Sequence, residues 1–183
     1  MNLDTLTLET TRLLLRPTRR HDFEEFAKFQ ADAESMRYLG SAPQPRSIAW
    51  RSFLTMAGAW AMQGFAMFSV IEKTSGRWVG RVGPWQPEGW PGTEVGWGIA
   101  SDRCRLGYAT EAATAAIDWA FAELGWSEVI HVIDPNNVAS QGVARKLGSR
   151  NRGRAQLPAP FAESVIDVWG QSKDEWLAAR ARH

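Results

Sequence analysis

The part of the 183-residue chain best suited to chemistry runs from Glu94 to Glu111, with the sequence EVGWGIASDRCRLGYATE. A strand pattern leads into a loop that contains Gly107, and an alanine-rich helix follows. Glycine permits a tight turn, and the N–H groups in the first turn of a helix have no acceptor within the helix. Such amides suit an anion, notably a pyrophosphate, and Arg103 and Arg105 add positive charge nearby. The pattern also fits an ordinary strand–loop–helix corner, because it contains neither a P-loop nor a GxGxxG fingerprint.

Glu94 is the second candidate for chemistry. It lies in the predicted strand Thr93–Ile99, on the face opposite Trp97. Burying a carboxylate among apolar residues is costly unless it is paired or hydrated, which favours a position in a cleft. There it could deprotonate an amine through a water molecule; the alternative is a carboxylate in a surface salt bridge. Glu111, one turn into the helix, is expected to be a surface residue favoured by the helix dipole.

The remaining reactive side chains carry less information. His131 alternates with Val129 and Ile133, so it faces either the core or the cleft. A thiol nucleophile made of Cys104 and His131 is disfavoured, because Cys104 belongs to the loop that suits an anion. No cluster of His, Cys and Asp has the spacing of a metal site, so no metal is expected.

Composition excludes several classes of function. The 21 Lys and Arg residues nearly balance the 20 Asp and Glu residues, which disfavours a nucleic-acid partner bound through its phosphates. A hydrophobic content of 44% excludes general disorder. The single cysteine fits a reducing compartment, no apolar run reaches about 18–20 residues, and the first residues do not resemble a signal peptide. We therefore expect one cytoplasmic domain over residues 1–183, without a membrane partner, as a monomer or homodimer.

Hydrophobic periodicity predicts a mixed sheet with helices packed on it. Helix caps are expected at Thr18, Asp32, Ser47 and Asn137, and segment 149–163 is not assigned. The predicted strands are the Leu13–Leu15 run, Ala66–Glu72, Trp78–Trp85, Thr93–Ile99, Val129–Ile133 and Val165–Trp169, and the last predicted helix is Lys173–Arg182.

Four stretches, in order along the chain, share one known pattern. They are LETTRLLLRPTRRHDFEEFAKFQADAESMRYLG, EVGWGIASDRCRLGYATEA, VIDPNNVASQGVARKLG and SVIDVWGQSKDEW. Together they resemble the Gcn-related N-acetyltransferase (GNAT) superfamily and, within it, the RimJ/RimL-type branch. The resemblance spans nearly the whole chain. It implies an α/β (α+β) fold with a central mixed, mostly antiparallel sheet, a splayed strand pair and helices on both faces.

The resemblance also implies acetyl-CoA as cosubstrate. The pantetheine arm would lie between the strands Thr93–Ile99 and Val129–Ile133, with Gly96 and Gly98 leaving room for it. The pyrophosphate would take the amides of Arg105–Thr110. The coenzyme-binding residues expected on this basis are Trp97, Gly98, Ile99, Cys104, Arg105, Leu106, Gly107, Tyr108, Ala109, Thr110 and Asn137.

Three positions depart from the family pattern. Cys104 stands where the superfamily signature has Gln or Arg, and Ser149 where a Phe usually follows KLG. Ala144 stands where many members carry a tyrosine that acts as general acid. Ser140, which matches the serine of the branch, is the substitute candidate.

The resulting hypothesis is direct transfer of acetyl to a primary amine, with Glu94, Ser140 and Asn137 as catalytic residues. The expected acceptor is the N-terminal α-amine of a protein or peptide, in a cleft walled by Tyr38, Trp85 and Trp90. Three alternatives stay open: an acetyltransferase of small amines, a non-catalytic acyl-CoA-binding domain, and a protein-interaction module suggested by the ten tryptophans.

Overall fold

A computed structural model describes residue 3 and residues 5–39 and 42–181. The strands form one eight-stranded sheet in the order β1-β2-β3-β4-β5-β6-β8-β7. They are β1 Leu8–Glu9, β2 Leu13–Arg16, β3 Phe68–Glu72, β4 Trp78–Trp85, β5 Glu94–Ile99, β6 Glu128–Ile133, β7 Arg150–Ala155 and β8 Ile166–Ser172. The helices are α1 Phe23–Ala31, α2 Ala33–Met36, α3 Arg46–Gln63, α4 Tyr108–Glu123, α5 Val138–Lys146 and α6 Lys173–Arg180.

One strand pair differs from the rest of the sheet. Neighbouring strands run antiparallel except β5 and β6, which are parallel and pair only at Glu94 and Ile130. Past this point the two strands separate. The predicted fold class, a mostly antiparallel mixed sheet with a splayed pair and helices on both faces, is confirmed.

Two hydrophobic cores hold the helices to the sheet. The small residues of α4, such as Ala112 and Ala116, pack on Leu15 and Val95 in the larger core. Aromatic residues of α1 and α3 build the second core with Trp78 of β4; they are Phe23, Phe26, Phe29 and Phe53. Because side chains alternate along a strand, β4 contributes to both layers, with Trp78 in the second core and Val79 in the larger one. This packing fixes the positions of the strand ends from which the site is built.

Two of the four predicted helix caps are present in the structure, and two are not. Asp32 and Asn137 each accept the N–H of the residue three positions ahead, as predicted. Ser47 does not cap α3, because the helix already begins at Arg46 after Pro45. Thr18 does not cap α1 either. A 3₁₀ turn, Arg20–Asp22, precedes that helix, and the carboxylate of its last residue pairs with buried Arg16 at 2.7 Å.

The unassigned segment 149–163 contains the edge strand β7. Residues 150–154 of this strand are exposed, so the hydrophobic alternation that reveals a strand is missing. Arg152 and Arg154 form ion pairs with Glu128 and Asp167 of the adjoining strands. At the C-terminal end, α6 is described as far as Arg180, and Arg182, the predicted helix end, lies outside the described residues.

Candidate active site

The separation of β5 and β6 opens into a cavity of about 1050 Å³. Its lining comes from α1, α2, α3, α5, β4, β5, β6, β8 and the chain that follows β7. All three residues expected as cleft walls border it, as do the three expected catalytic residues; together they are Tyr38, Trp85, Trp90, Glu94, Asn137 and Ser140. The structure thus brings together side chains that are up to about a hundred residues apart in sequence.

Glu94 lies at the start of β5 and is only 6% exposed. The indole N–H of Trp90 donates to its Oε2 at 2.6 Å, and the backbone N–H of Val132 donates to its Oε1 at 3.2 Å. The second contact crosses the splayed pair, where β5 no longer offers a backbone acceptor to β6. The carboxylate therefore lies beside the cavity, at the point where β5 and β6 begin to separate.

Burial raises the pKa of Glu94 to about 7. The two hydrogen bonds and the positive charge of Arg81 act in the opposite direction and only partly offset the burial. A carboxyl with this pKa exchanges a proton readily near neutral pH, which is the property required of a general base. The surface salt-bridge alternative is excluded, because no cation lies within 4.0 Å of this carboxylate among the described residues.

Ser140 and Asn137 lie at the first turn of α5, facing the same cavity. The side-chain oxygen of Asn137 accepts the Ser140 N–H at 3.0 Å, so its amide nitrogen is the group that it can offer to a ligand. The indole N–H of Trp97 donates to Ser140 Oγ at 3.1 Å. Because an indole N–H can only donate, the serine oxygen is the acceptor, and the hydroxyl proton is directed to another partner.

His131 belongs to the core and makes a contact that the sequence did not suggest. Its Nδ1 bonds to the Val95 carbonyl at 2.7 Å, and its Nε2 to the hydroxyl of Ser149 at 3.0 Å. A carbonyl only accepts, so Nδ1 carries the proton and Nε2 accepts from Ser149. Gln171 in turn donates to Ser149 Oγ at 3.0 Å. The polar residue at 149, where the family pattern has Phe, completes this buried network across the splayed strands.

No pairing of Cys104 with His131 is present. The Cys104 thiol lies in the exposed turn and contacts the Ile99 carbonyl, with Sγ–O at 3.6 Å. Burial, together with nearby Glu34, raises the pKa of the thiol above its ordinary value, so it is protonated at neutral pH. Burial lowers the pKa of His131 to about 4, which keeps the imidazole neutral. Neither group is arranged as a nucleophile and its base.

The turn before α4 has the geometry expected for binding an anion. Gly107, the N-cap, has a φ of 85°, and Arg105 has a φ of 64°. Residues 104–107 are exposed, and the amides of the first turn of α4 follow them. The Cys104 N–H already donates to the Ser101 carbonyl at 3.3 Å, so the amides relevant to an anion are those that follow it along the turn.

Two side chains at this turn hold the fold together instead of facing a ligand. The Tyr108 hydroxyl donates to Glu72 within the core, and the guanidinium of Arg12 lies 4.7 Å from the Tyr108 ring centroid. Glu111 is not the free surface residue that was expected. Its carboxylate accepts from Thr10 and from Arg12, which also donates to the Leu106 carbonyl at 2.9 Å. This ion pair fixes the chain before β2 against the turn.

Gly96 and Gly98, which were expected to leave room for a pantetheine arm, lie where β5 meets neighbouring side chains, and Gly96 also borders the cavity. A Cβ on Gly96 would lie 2.7 Å from Met67 Cε, and one on Gly98 would lie 3.0 Å from the Phe29 ring. Side chains at these positions would have no room, because Met67 and Phe29 pack closely on β5. Past Ile130, the backbone of Trp97, Gly98 and Ile99 borders the gap between β5 and β6.

Two kinds of feature are missing from the part of the chain that the structure describes. No group of three or more His, Cys, Asp or Glu side chains could hold a metal ion there. In the same residues, no helix combines the length and the apolar character needed to cross a membrane.

Comparison with known proteins gives concordant matches. The family model "Acetyltransferase (GNAT) domain" matches residues 12–150. An uncharacterized N-acetyltransferase of Bacillus subtilis, YnaD, is 25% identical over 171 residues, covering 92% of this chain and 98% of that protein. The crystal structure of an acetyltransferase from Agrobacterium tumefaciens superposes with a TM-score of 0.81 at 26% identity, over 94% of this chain and 98% of that chain.

A ribosomal-protein-S5-alanine acetyltransferase from Vibrio fischeri also shares the fold. Its TM-score is 0.68 at 19% identity, over 93% of this chain and 98% of that chain. At this level of identity the likeness concerns the fold alone.

Proposed function

The chain belongs to the GNAT acetyltransferase family and is an acetyl-CoA-dependent acetyltransferase, and we propose that it acetylates the N-terminal α-amine of a protein or peptide. The observation that carries the proposal is the carboxylate of Glu94, buried beside the cavity with a pKa near 7 and facing the same space as Ser140. A base and a hydroxyl donor on one cavity suit transfer of acetyl from sulfur to nitrogen. The RimJ/RimL-type branch is part of the proposal, supported by the four sequence stretches and by the fold likeness to a ribosomal-protein acetyltransferase.

Glu94 is the general base in this proposal. The amine attacks the thioester carbonyl directly, and Glu94 takes a proton from the attacking nitrogen through an intervening water. An α-amine has a pKa of about 7.7–8.0, so an appreciable fraction is already neutral at pH 7, whereas a lysine amine at about 10.4 is almost wholly charged. A base with a pKa near 7 suits the first acceptor better than the second.

Ser140 is the proton donor to the leaving thiolate in this proposal. The Trp97 indole holds the serine oxygen as an acceptor, so the hydroxyl proton is available to the departing thiolate. The carbon–nitrogen bond forms, the carbon–sulfur bond breaks, and one proton moves in net from nitrogen to sulfur. Asn137, with its oxygen engaged in the helix cap, offers its amide nitrogen to the pantetheine arm or to a water.

Coenzyme binding is assigned to backbone groups of two segments. The gap beside Trp97, Gly98 and Ile99 would take the pantetheine arm in the manner of an added strand. The amides of Arg105–Thr110 would take the pyrophosphate at the start of α4. Cys104 in the signature does not disturb this assignment, because the donors are backbone N–H groups.

A panel of acceptors tests the proposal. Free-thiol release from acetyl-CoA is measured with short peptides that have free N-termini, with the same peptides blocked at the N-terminus, with aminoglycosides and with polyamines. We expect turnover of the free peptides and none of the blocked ones. Fast turnover of an aminoglycoside with none of any peptide would support the small-amine alternative. Coenzyme binding without turnover of any amine would support the non-catalytic alternative, and absence of coenzyme binding would support the protein-interaction module.

A further inference from the structure

Arg81 is a charged side chain of the cavity that the proposed chemistry does not use. It lies on β4, opposite Gly98 of β5, and borders the same cavity as Glu94. Among the described residues, its side-chain hydrogen bonds go to two thioether sulfurs, with Nη1 at 3.4 Å from Met67 Sδ and at 4.0 Å from Met56 Sδ. Thioethers are weak acceptors, so these contacts compensate little of its charge.

Among the described residues, the guanidinium has no ion-pair partner, and Glu94 acts on its charge only from beyond 4.0 Å. Its Nε atom is buried and has no hydrogen-bond partner, and no carboxylate of the described residues lies within 4.0 Å of its nitrogens. Burial shifts the pKa of Arg81 downward, which reflects the cost of its charge here. An arginine cannot discard its proton as a lysine can, so a guanidinium in this setting calls for an anion from outside.

The other charges of the cavity point to a ligand with two ends. Arg37 and Arg81 supply positive charge, while Glu94 and Asp134 supply the acidic groups. The acidic pair belongs to β5 and to the residue that follows β6, whereas Arg81 lies on β4 against α3. A ligand with an ammonium group near Glu94 and Asp134 and a carboxylate near the Arg81 guanidinium would neutralise both charged parts of the cavity.

Gln30 adds an independent observation. It is buried, it borders the same cavity, and its Oε1 atom has no hydrogen-bond partner among the residues that the structure describes. Buried polar atoms without partners are rare in native proteins and call for an explanation. A ligand with both an N–H donor and an anionic group would supply hydrogen-bond partners for Gln30 Oε1 and for the Arg81 guanidinium.

We propose that the acceptor of this enzyme is an amine that also carries a carboxylate, and that Arg81 binds this carboxylate. The inference rests on the proposed function, since it takes the cavity beside Glu94 as the acceptor site. Arginine and carboxylate form two parallel charge-assisted hydrogen bonds, which fix orientation as well as affinity. The carboxylate has two sources: the acidic side chain of an N-terminal Asp or Glu in a peptide, or the α-carboxylate of a free amino acid.

Matched acceptor pairs test the proposal on the wild-type protein. One pair is a tripeptide amide that begins with aspartate and its counterpart that begins with asparagine; the other is a free amino acid and its carboxamide. We expect kcat/KM to be higher for the carboxylate member of at least one pair by about ten- to hundredfold, the range of a hydrogen bond to a charged group. The pair that responds identifies the source. Equal values within both pairs would overturn the proposal, with no need of a variant.

The Arg81→Gln variant locates the effect. We expect KM for the preferred acceptor to rise to that of its uncharged counterpart, with a much smaller change in KM for the uncharged acceptor and with partial rescue by Arg81→Lys. Arg51→Gln, an exposed charge of α3 outside the cavity, is the matched control and should retain the preference. An equal loss of kcat for both members of a pair, with a shifted pH profile, would instead mean that Arg81 acts only through the charge of Glu94. Thiol release with no amine at all, despite coenzyme binding, would count against the proposed function rather than against this inference.

Discussion

The Glu94 carboxylate accepts the backbone N–H of Val132 across the gap between β5 and β6, with Oε1 and N separated by 3.2 Å. A side chain thus replaces the main-chain acceptor that a continuous parallel pair would have supplied. The same residue forms the last paired position of the two strands, opposite Ile130. The base of the proposed mechanism is therefore anchored at the point where the sheet opens.

Replacing Glu94 with Gln should reduce kcat by about 10²–10⁴, the usual cost of losing one acid–base partner, while coenzyme affinity changes little. In the wild type, kcat/KM should rise with pH through about 7, because the carboxylate becomes a base as it loses its proton. The variant should lack this limb and keep only the rise at about pH 7.7–8.0 that reports loss of the proton from the α-amine. Rates between pH 5.5 and 9 check both statements, and the exposed Glu88→Gln is the matched control. Unchanged turnover in Glu94→Gln would exclude Glu94 as the base.

The same carboxyl should make stability depend on pH. Its pKa in the folded protein, about 7, lies above its ordinary value of 4.5, so the folded state binds this proton more tightly than the unfolded state. The resulting stabilisation is present below pH 4.5 and is lost as the pH rises through 7, to an extent of about 3 kcal/mol. Glu94→Gln should therefore be the more stable protein at pH 8 and lose this advantage at pH 4.5. Urea unfolding at the two pH values measures the difference, and parallel curves for both proteins would contradict it.

The bond between Trp97 and Ser140 should matter for turnover more than for folding. Trp97→Phe keeps an aromatic ring beside His131, whose centroid is 4.7 Å away, and removes only the N–H donor. We expect kcat to fall by about tenfold, since a misplaced catalytic group loses much of its effect. Ser140→Ala should cost more, and the double variant should resemble Ser140→Ala alone, because residues in direct contact do not act additively. A double variant with the summed loss would show that the two residues act independently.

Replacing Gly107 with Val should abolish stabilisation by coenzyme A in a thermal-shift measurement. The branched side chain would occupy a position with φ of 85° where backbone is to meet phosphate, and its Cβ would lie 3.3 Å from Arg12 Nη2. Gly125→Val is the matched control, because Gly125 also has a positive φ, 66°, but has open space around it and lies at the other end of α4. Both variants should melt lower than the wild type. Equal coenzyme affinity in the two would contradict the pyrophosphate assignment.

Cys104→Ala should retain activity, because a protonated thiol in an exposed turn takes no part in direct transfer. Incubation of the wild type with acetyl-CoA, followed by intact-mass measurement, should show no acetylated cysteine. Loss of activity in the variant together with a trapped acetyl-cysteine would establish a covalent route instead.

Local patterns in the sequence predict much of this fold. β4 was predicted with its observed bounds, β5 and β6 to within one residue, and the caps at Asp32 and Asn137 are as expected. These features depend on alternation, helical periodicity and side chains that bond to nearby backbone, all of which act within a few residues. Strand β7 was not predicted, because its stability comes from pairing and from ion pairs with other strands.

Tertiary structure alone decided how the site works. The sequence marked Glu94, Ser140 and the three aromatic walls, yet their meeting on one cavity depends on the order of the strands and on the splay after Ile130. The pKa of Glu94 near 7 follows from burial, and the unpaired state of Arg81 follows from the absence of a carboxylate within 4.0 Å among the described residues. Both properties depend on side chains that are distant from each other in sequence, and a local sequence pattern does not contain that information. Three-dimensional packing fixes the environment of a charged side chain. The sequence therefore indicated which chemistry Glu94 could perform, but it did not determine the pKa of Glu94 or whether Arg81 has an ion-pair partner.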